Sequence, residues 1–417
     1  MKKFILKVSL LIFLIFLVGC ADRCVGQLAD YYYEYYYILD EDIVDEIEEE
    51  EEAVYDVPVQ IPRASLSSTI MPREGWGLNK EPELPGKIAV IVRQDWINPL
   101  RVDDWVVKLV ERYGASNVLV YILERRNATN IDNAAINEII RNNEVRALII
   151  SSNVSRRDYI VDLISEQRDD IFIFQSSHLD ISLNANLILG LNSDEMITLF
   201  PKTALEMGAN TLIYFYDTSW NGGLCRRNKI REISEEIGLL FVKFDVDGAI
   251  QCGSSYHMFM TETIPLLIEK FEQNIVLFNL CNERVFWNWG KFIYVVQHPT
   301  WFELDPINLA QNLWYSFENV YDIPIIIDKI RNHFETEGQQ GRFASIPIST
   351  RTLFPLAAAE YSIKWMNGEV PNEGIDIYVL ERIMNDLVYE YTGIWSNVRL
   401  TAVYENYVLV TLDYFIY

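Results

Sequence analysis

Residues able to do chemistry are few in this chain, and their spacing is unhelpful to most catalysts. The four histidines, His178, His257, His298 and His333, are scattered, and no two stand at the separation of metal ligands. Cys24, Cys225, Cys252 and Cys281 lie far apart and form no C-x-x-C pair, so no zinc site is expected, and the sequence selects no disulfide partner among them. The glycine-rich dinucleotide turn and the phosphate-binding loop are both missing, as are G-x-S-x-G and H-E-x-x-H. No cofactor is therefore expected. Cys281, followed by Asn282 and Glu283, is a candidate nucleophile, with a carboxylate such as Asp217 or Glu283 as the alternative, but no base accompanies it in sequence, and a cysteine closing a buried strand serves packing first. These residues point away from an enzyme.

A second set of polar residues recurs at the ends of apolar runs. Gln94, Asp95 and Trp96 follow the first run; Ser151, Ser152 and Asn153 follow RALII; Ser176, Ser177 and His178 follow FIFQ. Later come Asp217, Thr218, Ser219 and Trp220, then Asn282 and Glu283, then Gln297 and His298. Open α/β sheets bind ligands beyond the carboxyl ends of their strands, where such side chains can hydrogen-bond a small polar molecule and an indole can stack on it. Helix capping and plain solvent exposure fit each set as well.

The elements that position these residues follow one pattern. GKIAVIV is a short apolar run bounded by turn residues, as suits a strand buried on both faces. Val102, Trp105, Val106, Leu109, Val110 and Tyr113 then recur at helical spacing up to Gly114, after which VLVYIL reads as the next strand. The unit returns with helices over 134–142, 155–167, 195–207, 225–237 and 258–272, alternating with RALIISS, DIFIFQSS, NLILGLN, TLIYFYD, LLFVKFDV, NIVLFNL and KFIYVVQ. Strand-helix alternation implies parallel, doubly wound sheets, and about nine such strands suit two modest sheets better than one very wide one.

The amino-terminal region reads differently. Lys2, Lys3 and Lys7 precede an apolar stretch through Val18, the pattern of a secretory signal over residues 1–19 and too short for a membrane span. Leu17-Val18-Gly19-Cys20 resembles the bacterial lipobox, which implies acylation of Cys20 as the membrane anchor. Residues 20–85 read as a tether and lead-in: positions 30–56 carry thirteen acids and no Lys or Arg, with clustered tyrosines, and five prolines punctuate 57–85. A net charge of −25 disfavours nucleic acid, whose binding rests on Lys and Arg neutralising phosphates.

GKIAVIV at 86–92, PKTALEMGANTLIYF at 201–215 and CRRNKIREISEEIGLLFVKF at 225–244 resemble a bacterial lipoprotein family defined only as a domain of unknown function. GRFASIPIST at 341–350, LFPLAAAEYSIKWMNGEVP at 353–371 and NYVLVTLDYF at 406–415 add to the likeness. The resemblance implies the type I periplasmic-binding fold: two α/β lobes joined by a hinge. It transfers no ligand and no catalytic residue. Laid on that fold, 86–192 with 346–370 would form lobe one, 193–345 lobe two, and 371–417 a carboxy-terminal extension, with crossings at Asn192, near Ser345 and near Pro371. The expected role is an extracytoplasmic, lipid-anchored receptor that closes on a small polar solute for a transporter permease or a sensor. An extracytoplasmic enzyme and a surface protein-interaction lipoprotein are the alternatives.

Overall fold

In the computed structural model the residues described are 82–93, 104–123, 133–152, 154–177, 181–217, 223–246, 254–271, 274–278, 294–296 and 323–417. The signal, Cys20 and nearly all of the acidic tether lie outside them. The chain divides into two compact units, Met1–Ala64 with Ser219–Asn228, and Ser65–Thr218 with Lys229–Tyr417. Of the first unit only 223–228 are described; all that follows concerns the second.

Its first sheet has seven strands. β1 (Lys87–Arg93) lies between β2 (Val118–Leu123) and β3 (Val145–Ile150), followed by β4 (Phe172–Ser176), β5 (Leu187–Leu191), β12 (Tyr407–Leu412) and β11 (Val398–Ala402). All neighbours are parallel except β11, which runs antiparallel to β12. Ile88–Ile91 are fully buried, because helices cover both faces of the sheet. On one face Ile88, Val90, Ala147, Ile149, Phe172 and Phe174 pack with α1 (Asp104–Tyr113), α8 (Thr350–Met366) and α9 (Ile377–Thr392). On the other, Ala89, Ile91, Leu148, Ile150 and Ile173 meet α2 (Asn133–Arg141) and α3 (Arg157–Ser165).

The second sheet repeats this winding. β6 (Thr211–Asp217) lies between β7 (Leu240–Val246) and β8 (Ile275–Phe278), all parallel. A bridge from Val276 to Tyr294 leads on to β9 (Val295–Val296), parallel to β10 (Phe343–Ser345), with β13 (Phe415–Ile416) antiparallel at the edge. The first five strands of each half thus lie in spatial order 2-1-3-4-5, and each sheet ends in an antiparallel strand. The helices α4 (Ser193–Met207), α5 (Gly223–Glu236, of which Lys229–Glu236 lie in this unit), α6 (Ser254–Phe271) and α7 (Ile323–Thr336) complete this half.

Expected helix bounds agree with those observed to within a few residues, with two exceptions. The helix expected over 258–272 begins at Ser254, and α7 was not anticipated. Ile326, Ile327, Ile330 and Phe334 bury one face of α7, but the run Ile325-Ile326-Ile327 hides that periodicity in the sequence. In the run FASIPIS the strand stops at Ser345, two residues before Pro347, which has no amide hydrogen to give a ladder.

Three passages of chain join the halves. Asn192 links β5 to α4, the stretch 346–349 links β10 to α8, and Asp413-Tyr414 links β12 to β13. The third crossing is thus at Asp413, and not near Pro371 as expected: there the chain stays on the first sheet, since α8 and α9 share its core. Residues 371–417 are more than an appendage. Leu380, Met384, Val408, Val410 and Leu412 belong to that core, and β11, β12 and β13 are members of the sheets.

Candidate functional site

In a 2-1-3-4-5 sheet the helices change sides between the first and third strands, which opens a crevice beyond their carboxyl ends. In the first half this point lies between β1 and β3, in the second between β6 and β8. Of the residues singled out at strand ends, Ser151, Ser152, Ser176, Ser177 and Asp217 are among those described. Gln94, Asp95, Trp96, Asn153, His178, Ser219, Trp220, Asn282, Glu283 and His298 lie outside the described residues. Asp217 closes β6. Ser151 and Ser177 are described together with their surroundings.

Ser151 follows β3 and is buried; its amide donates to the Ile91 carbonyl at 2.9 Å, carrying the β1–β3 pairing one step past the strand. The register pairs Ile150 with Gln175, so the next step sets Ser151 beside Ser176, on strands about 4.8 Å apart. Alternation places both on the face that holds Ala147, Ile149, Phe172 and Phe174. Ser176 is 6% exposed, and its hydroxyl has no hydrogen-bond partner among the described residues.

The helix α8 packs on this same face. Phe172, at the start of β4, touches Tyr361 and Trp365 near the end of α8, at ring-centroid distances of 5.9 and 5.7 Å. Ser176 lies four residues further along β4, about 13 Å away, a distance that α8 covers in about nine residues. Helix and strand run antiparallel, because the chain returns from β10 at the rim and descends along the sheet. Ser176 is therefore level with the opening turns of α8, whose cap Ser349 accepts from the Arg351 amide at 3.1 Å.

Ser177, one residue on, sits over Gly190 of β5; a Cβ at Gly190 would stand 2.1 Å from its Oγ. Its amide donates to the Leu189 carbonyl at 2.6 Å. On the opposite face Gln175 is fully buried, and its Nε2 donates to the Ser182 carbonyl at 2.6 Å while its Oε1 has no partner among the described residues. Asp162 organises the loop beyond, accepting from the Ser182 hydroxyl and from Asn184 Nδ2.

Sequence reasoning overlooked the arginines of this rim. Arg156, capping α3, has φ 53° and ψ 42°, and among the described residues it is the sole non-glycine with positive φ. Such a conformation costs on the order of 1 kcal/mol and concentrates at working sites. It turns the chain so that Arg157, 3% exposed, donates back to the Ser152 carbonyl and closes the turn after β3. The signal was an Arg-Arg pair directly after a strand-end turn. Among the described residues no cluster of three or more His, Cys, Asp or Glu is placed to hold a metal ion. Nor is any helix among them long and apolar enough to cross a membrane.

Two lobes with this repeated winding, linked by three passages, define the class: an α/β protein of type I periplasmic-binding-protein-like fold. A putative transcriptional regulator from Clostridium difficile superposes with a TM-score of 0.65 at 19% identity, covering 80% of this chain and 99% of that one. A sugar transport substrate-binding protein from Bordetella parapertussis gives a TM-score of 0.39 at 12% identity, over 81% and 90% of the two chains. A solute-binding protein from Clostridium phytofermentas with bound L-rhamnose gives 0.38 at 10% identity, over 79% and 96%. No curated protein matches the chain. The chain belongs to the family described as protein of unknown function DUF3798, whose model matches residues 106–344, more than half its length.

Proposed function

We propose that this protein is an extracytoplasmic binding protein, held on a membrane by acylation of Cys20, that closes its lobes on a small polar solute and passes it to a transporter or a sensor. It binds and does not catalyse. One observation carries the reading: a buried hydroxyl without a partner, Ser176, stands beside Ser151 at the carboxyl rim of a sheet wound as ligand-binding sheets are wound. A solute oxygen or nitrogen arriving there completes the hydrogen bonding that the fold leaves open. The opposite rim would contribute Asp217, Ser219, Trp220, Asn282, Glu283 and His298, with Gln94, Asp95, Trp96, Asn153, Ser177 and His178 beside the serine pair.

Tryptophan fluorescence, titrated with pooled polar metabolites, tests this directly. A saturable change with at least one pool is expected, and it should weaken in Trp220→Ala and His298→Ala. Indifference to every pool, at concentrations where the protein stays folded, would end the solute-binding reading. Removing residues 21–85 should leave affinity intact, whereas a protein-interaction tether would lose its partner. Cys20→Ala should move the protein from the membrane to the soluble fraction; continued sedimentation with membranes would remove the lipid anchor.

A further inference from the structure

Two of the three passages between the lobes leave the first sheet side by side, from β5 at Asn192 and from β12 at Asp413, since β5 and β12 are paired neighbours. Arg399, on the edge strand β11, reaches both. Its Nε donates to Glu195 Oε1 at 3.1 Å, and NH1 donates to Asp413 Oδ1 at 2.6 Å. The other oxygen of Glu195 accepts from the Thr411 hydroxyl at 2.7 Å and from Asn192 Nδ2 at 3.1 Å. Asn192 in turn accepts from the Glu195 amide, so the carboxylate is fixed to the very residue at which the chain crosses.

The residues around this network belong to both halves. Met196 packs in the first core, while its neighbour Ile197 and Phe200 pack in the second. Tyr414, directly after Asp413, packs against both cores. The remaining passage is different in kind: Ile346-Pro347-Ile348-Ser349 carries no charge, and Ile346 and Ile348 are buried in the first core.

We infer that Arg399 is an electrostatic latch that ties the first and third passages together and so sets how readily the two lobes change their relative orientation. Its strength suits that task. The side chains of Arg399, Glu195 and Asp413 are about a third exposed (32%, 34% and 39%), so water and salt weaken these ion pairs. Pairs of that kind are too weak to decide folding, but they can shift the balance between two conformers of one protein. A hinge built only from buried apolar packing would have no such adjustable contact, and it would ignore salt.

The inference rests on the lobes being moving parts, as a receptor requires, but its test needs no ligand and therefore fails or succeeds apart from the search for a solute. The full chain, Arg399→Gln and Glu195→Gln are compared by small-angle scattering and by amide hydrogen exchange, at about 0.05 M and about 0.5 M salt, a range over which exposed pairs become screened. In Arg399→Gln, exchange at the amides of Asn192 and Met196 should rise several-fold, with Ile88–Val92 unchanged, and the scattering profile should shift. High salt should move the wild type towards the variant and leave the variant where it is. Identical scattering in all three proteins would overturn the latch. So would faster exchange at the passages with no shift in scattering, which describes a local brace. If Arg399→Gln fails to fold, Asp413→Asn, which keeps the Glu195 pair, is judged by the same two readouts.

Discussion

Ser176 is the residue on which binding chemistry and stability pull in opposite directions. Its hydroxyl is removed from water and has no hydrogen-bond partner among the described residues, which disfavours the fold. Ser176→Ala is therefore expected to leave the protein equally stable or up to about 1 kcal/mol more stable by denaturant titration, while solute affinity falls about tenfold, the equivalent of one hydrogen bond. A drop in stability would show instead that the hydroxyl serves the fold. Gly190 gives a complementary reading: an added methyl would meet Ser177 Oγ at 2.1 Å and Leu409 Cδ2 at 3.1 Å. Gly190→Ala should lower stability by about 1–3 kcal/mol in the same titration. A value near zero would mean that Ser177 swings aside freely and is no fixed part of the rim. The serines were legible in the sequence as strand-end residues, but their pairing was not. Ser151 and Ser176 are made neighbours by a register that no local pattern announces.

Among the elements, the turn from α2 into β3 depends on one distant side chain. Arg168 donates from NH1 to the Ile140 carbonyl at 3.0 Å and from NH2 to the Val145 carbonyl at 3.1 Å, satisfying carbonyls around the carboxyl end of the helix. Asp170 holds the guanidinium by two contacts, at 2.6 and 2.9 Å. Arg168→Met should destabilise by about 1–3 kcal/mol, because buried carbonyls lose their donor. A change under about 0.3 kcal/mol in thermal and chemical unfolding would refute that role.

The pair also has a pH signature. The hydrogen bond from Arg168 and its charge keep the Asp170 carboxyl below its ordinary value, against a smaller effect of burial. A depressed carboxylate contributes fully above its unfolded pKa, near 4, and its contribution is lost as pH falls from there through the lower folded value. The gap between wild type and Arg168→Met should hence narrow as pH falls from about 4 through the folded value, without closing, because the carbonyls lack their donor at every pH. The strands themselves were plain from their apolar runs, and most helices from their spacing. α7 was not, because β-branched isoleucines in succession look alike to a helix and a strand.

For the molecule as a whole, the carboxy-terminal segment is structural. α9 lies against α8, and Arg112 of α1 forms ion pairs with Glu360 of α8 and Glu390 of α9. Leu380, Met384, Val408, Val410 and Leu412 are buried in the first core. A chain ending at Pro371 should lose cooperative unfolding and partition into aggregates, since it would expose that core and leave β5 as an open edge. Cooperative unfolding of such a chain near the wild-type midpoint would return 371–417 to the status of an appendage.

The amino-acid sequence alone determined the strand-helix alternation and the two-lobed α/β class, because those follow from hydrophobic period and turn chemistry within a few residues of each position. Only the tertiary structure decided that the last strands complete both sheets, that the third crossing is at Asp413, and that Arg399 joins it to the first. Those facts rest on contacts between residues two hundred positions apart, and strand order and side-chain register across such distances are settled by which packing buries the most apolar surface.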